Sequence, residues 1–282
     1  MLSRLTAVLA ATCSTAAFAE IKTEHIKYTS GQTTLEGVLA YDDAATDKRP
    51  GVLVCPEWWG RNEYADSRAR QLAALGYVAF AIDMYGDGKT TTDPKQAGEW
   101  AGKVSSDPAE MRVRAAAGLK VLAEHAKVDD SKLAAIGYCM GGTVALELAR
   151  SGQPHTENLR AIVPFHASTL AAKNPDDNKN IKGSILVCHG QDDAFVKPEQ
   201  IENFHKQMKD AGIDYQFASY SGAVHAFTNP DADSFGVPGV KYNQKADKRS
   251  WTAMRNLLSE VFGKVKPAKK THANKAEPKQ DK

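Results

Sequence analysis

Ile136-Gly137-Tyr138-Cys139-Met140-Gly141-Gly142 lies where an apolar run, Leu133 to Tyr138, gives way to a helical pattern from Met140 to Ser151. The first segment reads as a buried strand and the second as a helix, so Cys139 stands at a strand-to-helix turn. The glycines two residues to either side have a steric purpose. In so sharp a turn, side chains at 137 and 141 would meet each other or the neighbouring strand, and glycine leaves the room. A helix N-terminus also favours a thiolate, because its free N–H groups and dipole stabilise negative charge. The stretch is the G-x-S-x-G turn with cysteine in the serine place. Cys139 is the candidate nucleophile, and Gly137 and Gly141 are the hinges of its elbow. The competing reading is a buried structural thiol beside glycines needed for close helix–strand packing.

The same alternation extends outward from that turn. Ile26, Tyr28, Leu35, Val38 and Leu39 alternate with polar residues on either side of Ser30-Gly31-Gln32, which predicts a hairpin of two outer strands. Gly51 to Cys55 is a short continuous apolar run, as expected of a strand buried on both faces. A helix over Ala65 to Leu75 stops at Gly76, a strand follows over Tyr77 to Ile82, and Asp83 to Gly88 is a loop. Asp107-Pro108-Ala109-Glu110 starts a helix with an N-cap, an early proline and a glutamate three residues after the cap, running to about Ala126. Beyond the elbow come strands at Ala161–Phe165, Ser184–His189 and Tyr215–Ser219, a helix at Pro198–Ala211, and a closing helix from about Lys245 to Val265. Buried strands alternating with amphipathic helices predict an α/β fold with a mostly parallel central sheet and helices on both faces. No linker-like stretch interrupts the pattern, so one domain is expected over residues 20–262.

The partners of Cys139 follow later strands. Asp192-Asp193-Ala194-Phe195-Val196 comes after the strand ending at His189, and Val224-His225-Ala226-Phe227 after the last one. The chain order nucleophile, acid, histidine is that of α/β-hydrolases. All three groups fall at the carboxyl ends of strands, where open α/β sheets bind ligands. His225 is the candidate base that takes the thiol proton and returns it to the leaving group. Asp193 is favoured over its neighbour Asp192 as the carboxylate that orients the imidazole. Glu57 directly follows a hydrophobic strand and precedes Trp58 and Trp59, so desolvation should raise its pKa.

With these residues in view, the chain resembles the dienelactone hydrolase family over most of residues 20–262. The marks are Cys139 in its elbow, Asp193-Ala-Phe-Val, His225-Ala-Phe, and Cys55-Pro56-Glu57-Trp58-Trp59-Gly60. The resemblance implies an α/β-hydrolase fold, no cofactor, and a Cys139-His225-Asp193 triad. It further implies that Glu57 contacts the resting thiol and helps ionise it, and that the backbone N–H groups of Trp58 and Met140 form the oxyanion hole. Trp59, Tyr85, His166 and Phe227 are candidates to line the substrate pocket. Two positions depart from the family. Asp87 and Asn229 stand where arginines would bind a substrate carboxylate, and an aspartate there would repel one. An anionic dienelactone is therefore not the expected substrate, and the acyl group is expected to be neutral or cationic.

Composition bounds the rest. Across 282 residues, 42% are hydrophobic and 25% charged, which fits a globular protein with a good core. Arg4, the apolar Leu5–Ala11 and Ala17-Phe18-Ala19 predict a signal peptide over residues 1–19, too short in its apolar part to span a bilayer. Export to the periplasm or outside is expected, with no stable membrane insertion after cleavage. Cleavage leaves Cys55, Cys139 and Cys188, an odd count that means at least one free thiol or pairing with another chain. From 263 to 282, seven lysines against Glu277 and Asp281, with few large apolar residues, predict a solvated, disordered tail. The remaining body is mildly acidic and offers no nucleic-acid footprint. No ligand set has metal spacing, and there is no dinucleotide or P-loop glycine pattern. The expected function is hydrolysis of a small-molecule ester or lactone through an acyl-thioester on Cys139. The alternatives are an exported thiol-redox protein, for which a C-x-x-C is missing, and a non-catalytic small-molecule carrier on the same fold. The sequence leaves the oligomeric state open.

Overall fold

The hairpin forms as its alternation predicts: β1 (Ile21–Ser30) and β2 (Thr33–Asp42) pair antiparallel from Ile21↔Asp42 to Ser30↔Thr33, turning at Gly31 with φ 55°. The computed structural model describes residues 21–268, so residues 1–19 and the tail from 269 lie outside the described residues. β2 pairs antiparallel with β4 (Val78–Ala81), and β4 runs parallel to β3 (Arg49–Cys55). From there β5 (Val128–Tyr138), β6 (Leu159–Phe165), β7 (Ser184–Gly190) and β8 (Tyr215–Tyr220) continue parallel, giving the order β1-β2-β4-β3-β5-β6-β7-β8.

The chain runs from β3 outward to β4 and then crosses back to place β5 on the other side of β3. That reversal opens a crevice at the carboxyl ends of β3 and β5, the usual ligand position in such sheets. Val52, Leu53, Val54, Leu133, Ala134, Ala135 and Ile136 are fully buried, so the apolar runs read as strands covered on both faces. One face is packed by α1 (Glu63–Ala74) and α6 (Gln244–Phe262) through Tyr64, Leu72, Met254 and Leu258. The other is packed by α3 (Pro108–Ala123), α4 (Met140–Arg150) and α5 (Pro198–Asp210) through Leu119, Leu122, Val144, Leu148, Phe204 and Met208. The N-cap expected of α3 is present, Asp107 accepting from the Glu110 N–H at 3.0 Å. No helix among the described residues is long and apolar enough to cross a membrane.

Four features differ from the sequence reading. β5 begins at Val128, five residues before the predicted Leu133, because Val128 is buried and pairs with Arg49 before the register shifts at Pro50/Gly51. An unpredicted helix, α2 (Pro94–Ser106), precedes α3, capped by Asp93 and with proline in its first turn. The closing helix ends at Phe262, because Gly263 takes φ 77°. Finally, the first residues assigned to the tail lie against the body. Arg49 donates to the Lys266 carbonyl at 3.2 Å, and the Ala268 N–H to the Ala74 carbonyl at 3.2 Å.

Candidate active site

Four parallel strands each deliver one group to the crevice, Glu57 after β3, Cys139 after β5, Asp193 after β7 and His225 after β8, while β6 ends in His166 behind it. Cys139 takes φ 55° and ψ −120° between β5 and α4, a strained backbone conformation for a residue other than glycine. The surrounding glycines hold it there. A Cβ on Gly137 would overlap the Gly141 carbonyl, and one on Gly141 would overlap the carbonyl of Cys55 on the neighbouring strand. The elbow is thus clamped between its own helix and β3.

His225 Nδ1 and Asp193 Oδ2 are 2.8 Å apart, both side chains buried. With the carboxylate accepting the Nδ1 proton, Nε2 is left for the sulfur. Burial opposes charge on this imidazole, but the adjacent Cys139 sulfur and the Asp193 carboxylate outweigh it and push its pKa up to about 10. Asp193 also accepts from the Phe195 N–H at 2.9 Å, which fixes its second oxygen. Asp192 is exposed and contributes its backbone N–H to the Ala223 carbonyl. Asp193→Asn should therefore lower kcat/KM by roughly 10²–10⁴-fold through loss of the imidazole's orientation. Asp192→Asn should stay within about twofold, and parallel steady-state assays check both.

Burial dominates at the other two thiols, although the Tyr220 hydroxyl donates to Cys188 Sγ at 3.8 Å. Burial pushes Cys188 up to about 12 and Cys55 further still, so neither is a thiolate at neutral pH. Cys139 Sγ instead has polar company, including Ser168 Oγ at 3.5 Å.

Glu57 is buried and its pKa is pushed up to about 7 by desolvation, partly offset by a hydrogen bond from Asn229. Asn229 Nδ2 donates to Glu57 Oε2 at 2.6 Å, and no hydrogen bond runs from Glu57 to the Cys139 sulfur. The resting Glu57–thiol contact implied by family resemblance is therefore replaced here by an amide–carboxylate pair. A carboxyl whose folded pKa lies above its unfolded one favours the protonated form. The stability it contributes is complete below the ordinary 4.5 and lost as the pH rises through about 7. Glu57→Gln keeps an acceptor for Asn229 and removes the cost of ionising. It should match the parent's stability near pH 4 and exceed it by about 3 kcal/mol above pH 7 in denaturant titrations.

The substrate-contact residues read from the sequence sit elsewhere. A cavity of about 890 Å³ adjoins Cys139, bounded by Trp58, Met140, Met111 and one face of α2. Trp59 is packed between Trp58 and Phe235, with ring centroids 4.8 and 4.6 Å away. Phe227 is fully buried behind His166. Tyr85 faces a neighbouring cavity with Trp100, while its hydroxyl donates to the Trp58 carbonyl at 2.8 Å and reaches the Met140 sulfur at 3.5 Å. His166 is fully buried and acts as a brace: its Nδ1 accepts the Cys139 N–H at 3.0 Å, and its Nε2 lies 2.6 Å from Thr228 Oγ1. Burial, helped by the nearby His225, holds it well below the usual histidine range, so it is neutral and carries its proton on Nε2. It ties the elbow to the loop that bears His225. Residues chosen because they are aromatic and near the motifs have gone into the wall behind the site.

The arginine-replacing positions also change meaning. Asp87 is exposed, with φ 53°, and is absent from the cavity wall; Asn229 is buried and committed to Glu57. Asp87 is thus not placed to repel a substrate carboxylate in this cavity. The sequence reading missed Ser168, Met111 and the α2 face. No group of three or more potential metal ligands clusters among the described residues. The backbone N–H groups of Trp58 and Met140 have no protein acceptor among the described residues.

Residues 35–262 match the model of the dienelactone hydrolase family. A provisionally named carboxymethylenebutenolidase of Aquifex aeolicus is 30% identical over 217 residues, covering 74% of this chain and 87% of that protein. The solved structure named m3DLH superposes with a TM-score of 0.82 at 45% identity, covering 86% of this chain and 99% of the other. A dienelactone hydrolase-like promiscuous phosphotriesterase from metagenomic libraries gives 0.82 at 42% identity over the same shares. With its eight-stranded sheet and the thiol elbow at the crevice, the chain belongs to the dienelactone hydrolase family and is an ester or lactone hydrolase of the α/β-hydrolase fold.

Proposed function

We propose that Cys139 is the nucleophile and that the reaction passes through an acyl-thioester. The observation that carries this is the convergence of three groups on one crevice: a thiol held at positive φ at a helix N-terminus, an imidazole whose pKa that thiol helps to raise, and a buried carboxylate 2.8 Å from the imidazole's Nδ1. In this reading the Cys139 proton passes to His225 Nε2, which the raised imidazole pKa favours. The thiolate attacks the ester or lactone carbonyl. The developing oxyanion is met by the Trp58 and Met140 N–H groups, each worth roughly 3–4 kcal/mol of barrier. The tetrahedral intermediate collapses, the C–O bond breaks, and imidazolium Nε2 gives its proton to the leaving oxygen. The neutral imidazole then takes a proton from water, whose oxygen attacks the thioester and regenerates the thiolate. Asp193 holds the imidazole's orientation throughout.

The test is hydrolysis of p-nitrophenyl acetate and of a simple lactone before and after alkylation with iodoacetamide. Stoichiometric modification of Cys139 should remove both activities together. Full activity after complete modification would refute the thiol mechanism. We also propose that residues 1–19 are removed on export and that residues 20–262 form the hydrolase domain, which the N-terminal sequence of the secreted or periplasmic protein checks.

A further inference from the structure

Helix α2 presents Gly98, Ala101, Gly102 and Ser105, spaced i, i+3, i+4 and i+7, to the cavity beside Cys139. Two glycines inside a 13-residue helix weaken it. Where packing demands a glycine in this molecule the reason is visible: a Cβ on Gly118 in α3 would overlap the Ile82 side chain. On α2 no such reason exists. A Cβ on Gly102 would meet nothing within 4 Å, and one on Gly98 would make ordinary contact with the Trp58 ring at 3.8 Å. Neither glycine has a positive φ. The fold gains nothing from their smallness, whereas the cavity that adjoins the sulfur gains width.

The part-buried charge on the wall is already cancelled. Arg112, the cation built into it, donates to Asp177 at 2.7 Å and through Nε to Glu147 at 2.8 Å. Lys173 is exposed. The rest of the wall is mostly apolar, with Trp58, Met111 and Met140 beside the hydroxyls of Ser105, Thr143, Ser168 and Thr169. His225 is absent from this wall. Because His225 protonates the departing oxygen, the leaving group lies on the His225 side of Cys139 and the acyl group on the α2 side.

We infer that the α2 cavity is an acyl pocket, and that the enzyme's substrates are carboxylic esters with a bulky, uncharged acyl group. This deepens, and rests on, the reading of Cys139 as nucleophile. The experiment keeps the p-nitrophenyl leaving group constant and compares the acetate, the 4-phenylbutyrate and the anionic glutarate monoester, in the parent enzyme, Gly102→Ala, Gly102→Phe and Cys139→Ala. The parent should prefer phenylbutyrate over acetate by about tenfold or more in kcat/KM, and over glutarate by a larger factor. Gly102→Phe should cut the phenylbutyrate-to-acetate ratio by at least about tenfold. Gly102→Ala should lower that ratio by a smaller factor while raising Tm by about 2–4 °C, because the helix improves as the pocket narrows. An unchanged ratio in Gly102→Phe, a preference for acetate or glutarate in the parent, or a lower Tm in Gly102→Ala would overturn the pocket alone. Parent-like turnover by Cys139→Ala would overturn the nucleophile, and the pocket with it.

Discussion

Cys139→Ala should lower kcat/KM for p-nitrophenyl esters by about 10⁴–10⁶-fold, or roughly 5–8 kcal/mol of transition-state stabilisation. The loss is this large because alanine leaves no group to form the acyl intermediate, while the backbone donors at Trp58 and Met140 can only assist attack by water. His225→Ala should cost a comparable amount, since in the proposed mechanism the imidazole both takes the thiol proton and protonates the leaving group. The double variant should be no worse than the more damaged single, as expected of groups that act as one unit. Additive losses in the double variant would mean that Cys139 and His225 act independently, contrary to the proposed mechanism. Folding is a small concern for Cys139→Ala: the side chain is small and the elbow backbone is held by the Phe165 carbonyl and His166 Nδ1, which both accept the residue 139 N–H at 3.0 Å.

Gly137→Ala should be the most destabilising single-methyl change in the molecule, by more than about 4 kcal/mol, and should reduce the yield of folded protein. The added carbon falls on the Gly141 carbonyl, a backbone atom of the helix start that cannot rotate away. Relief would require moving α4 off β5, and α4 is itself pinned, because Gly141 lies against the Cys55 and Pro56 carbonyls and Gly142 against Ala167. Chemical denaturation checks this, with Gly102→Ala as the contrasting glycine substitution, expected to stabilise. A Gly137→Ala variant as stable as the parent would contradict the account of the elbow as a sterically locked turn.

Much of the fold was legible because its signals are local. The apolar run Gly51–Cys55, the elbow at Cys139 and the cap at Asp107 each follow from a few consecutive residues, and they lie where the sequence puts them. Helix α2 shows the limit. It carries the same aspartate–proline start as α3, at Asp93-Pro94, but Gly98 and Gly102 break its apolar periodicity. The residues that hide the helix from pattern reading are those that widen the cavity. The proximity of Cys139, Asp193 and His225 could be anticipated from strand ends alone. Side-chain direction could not: His166, Trp59 and Phe227 are near the motifs in sequence and behind the wall in space, whereas Ser168 and Met111 reach the cavity from segments with no motif. Asn229 is the same lesson for a departure from family pattern, since its meaning depends on Glu57, 172 residues away in the chain.

The central claim is covalent, so the decisive measurement is covalent as well. Enzyme mixed with p-nitrophenyl 4-phenylbutyrate, quenched in acid within a few turnovers and digested, should yield the peptide containing Cys139 heavier by one acyl group, and the label should be discharged by hydroxylamine as a thioester is. An acyl group on any other residue, Ser168 included, or burst-phase turnover with Cys139 unlabelled, would contradict the account.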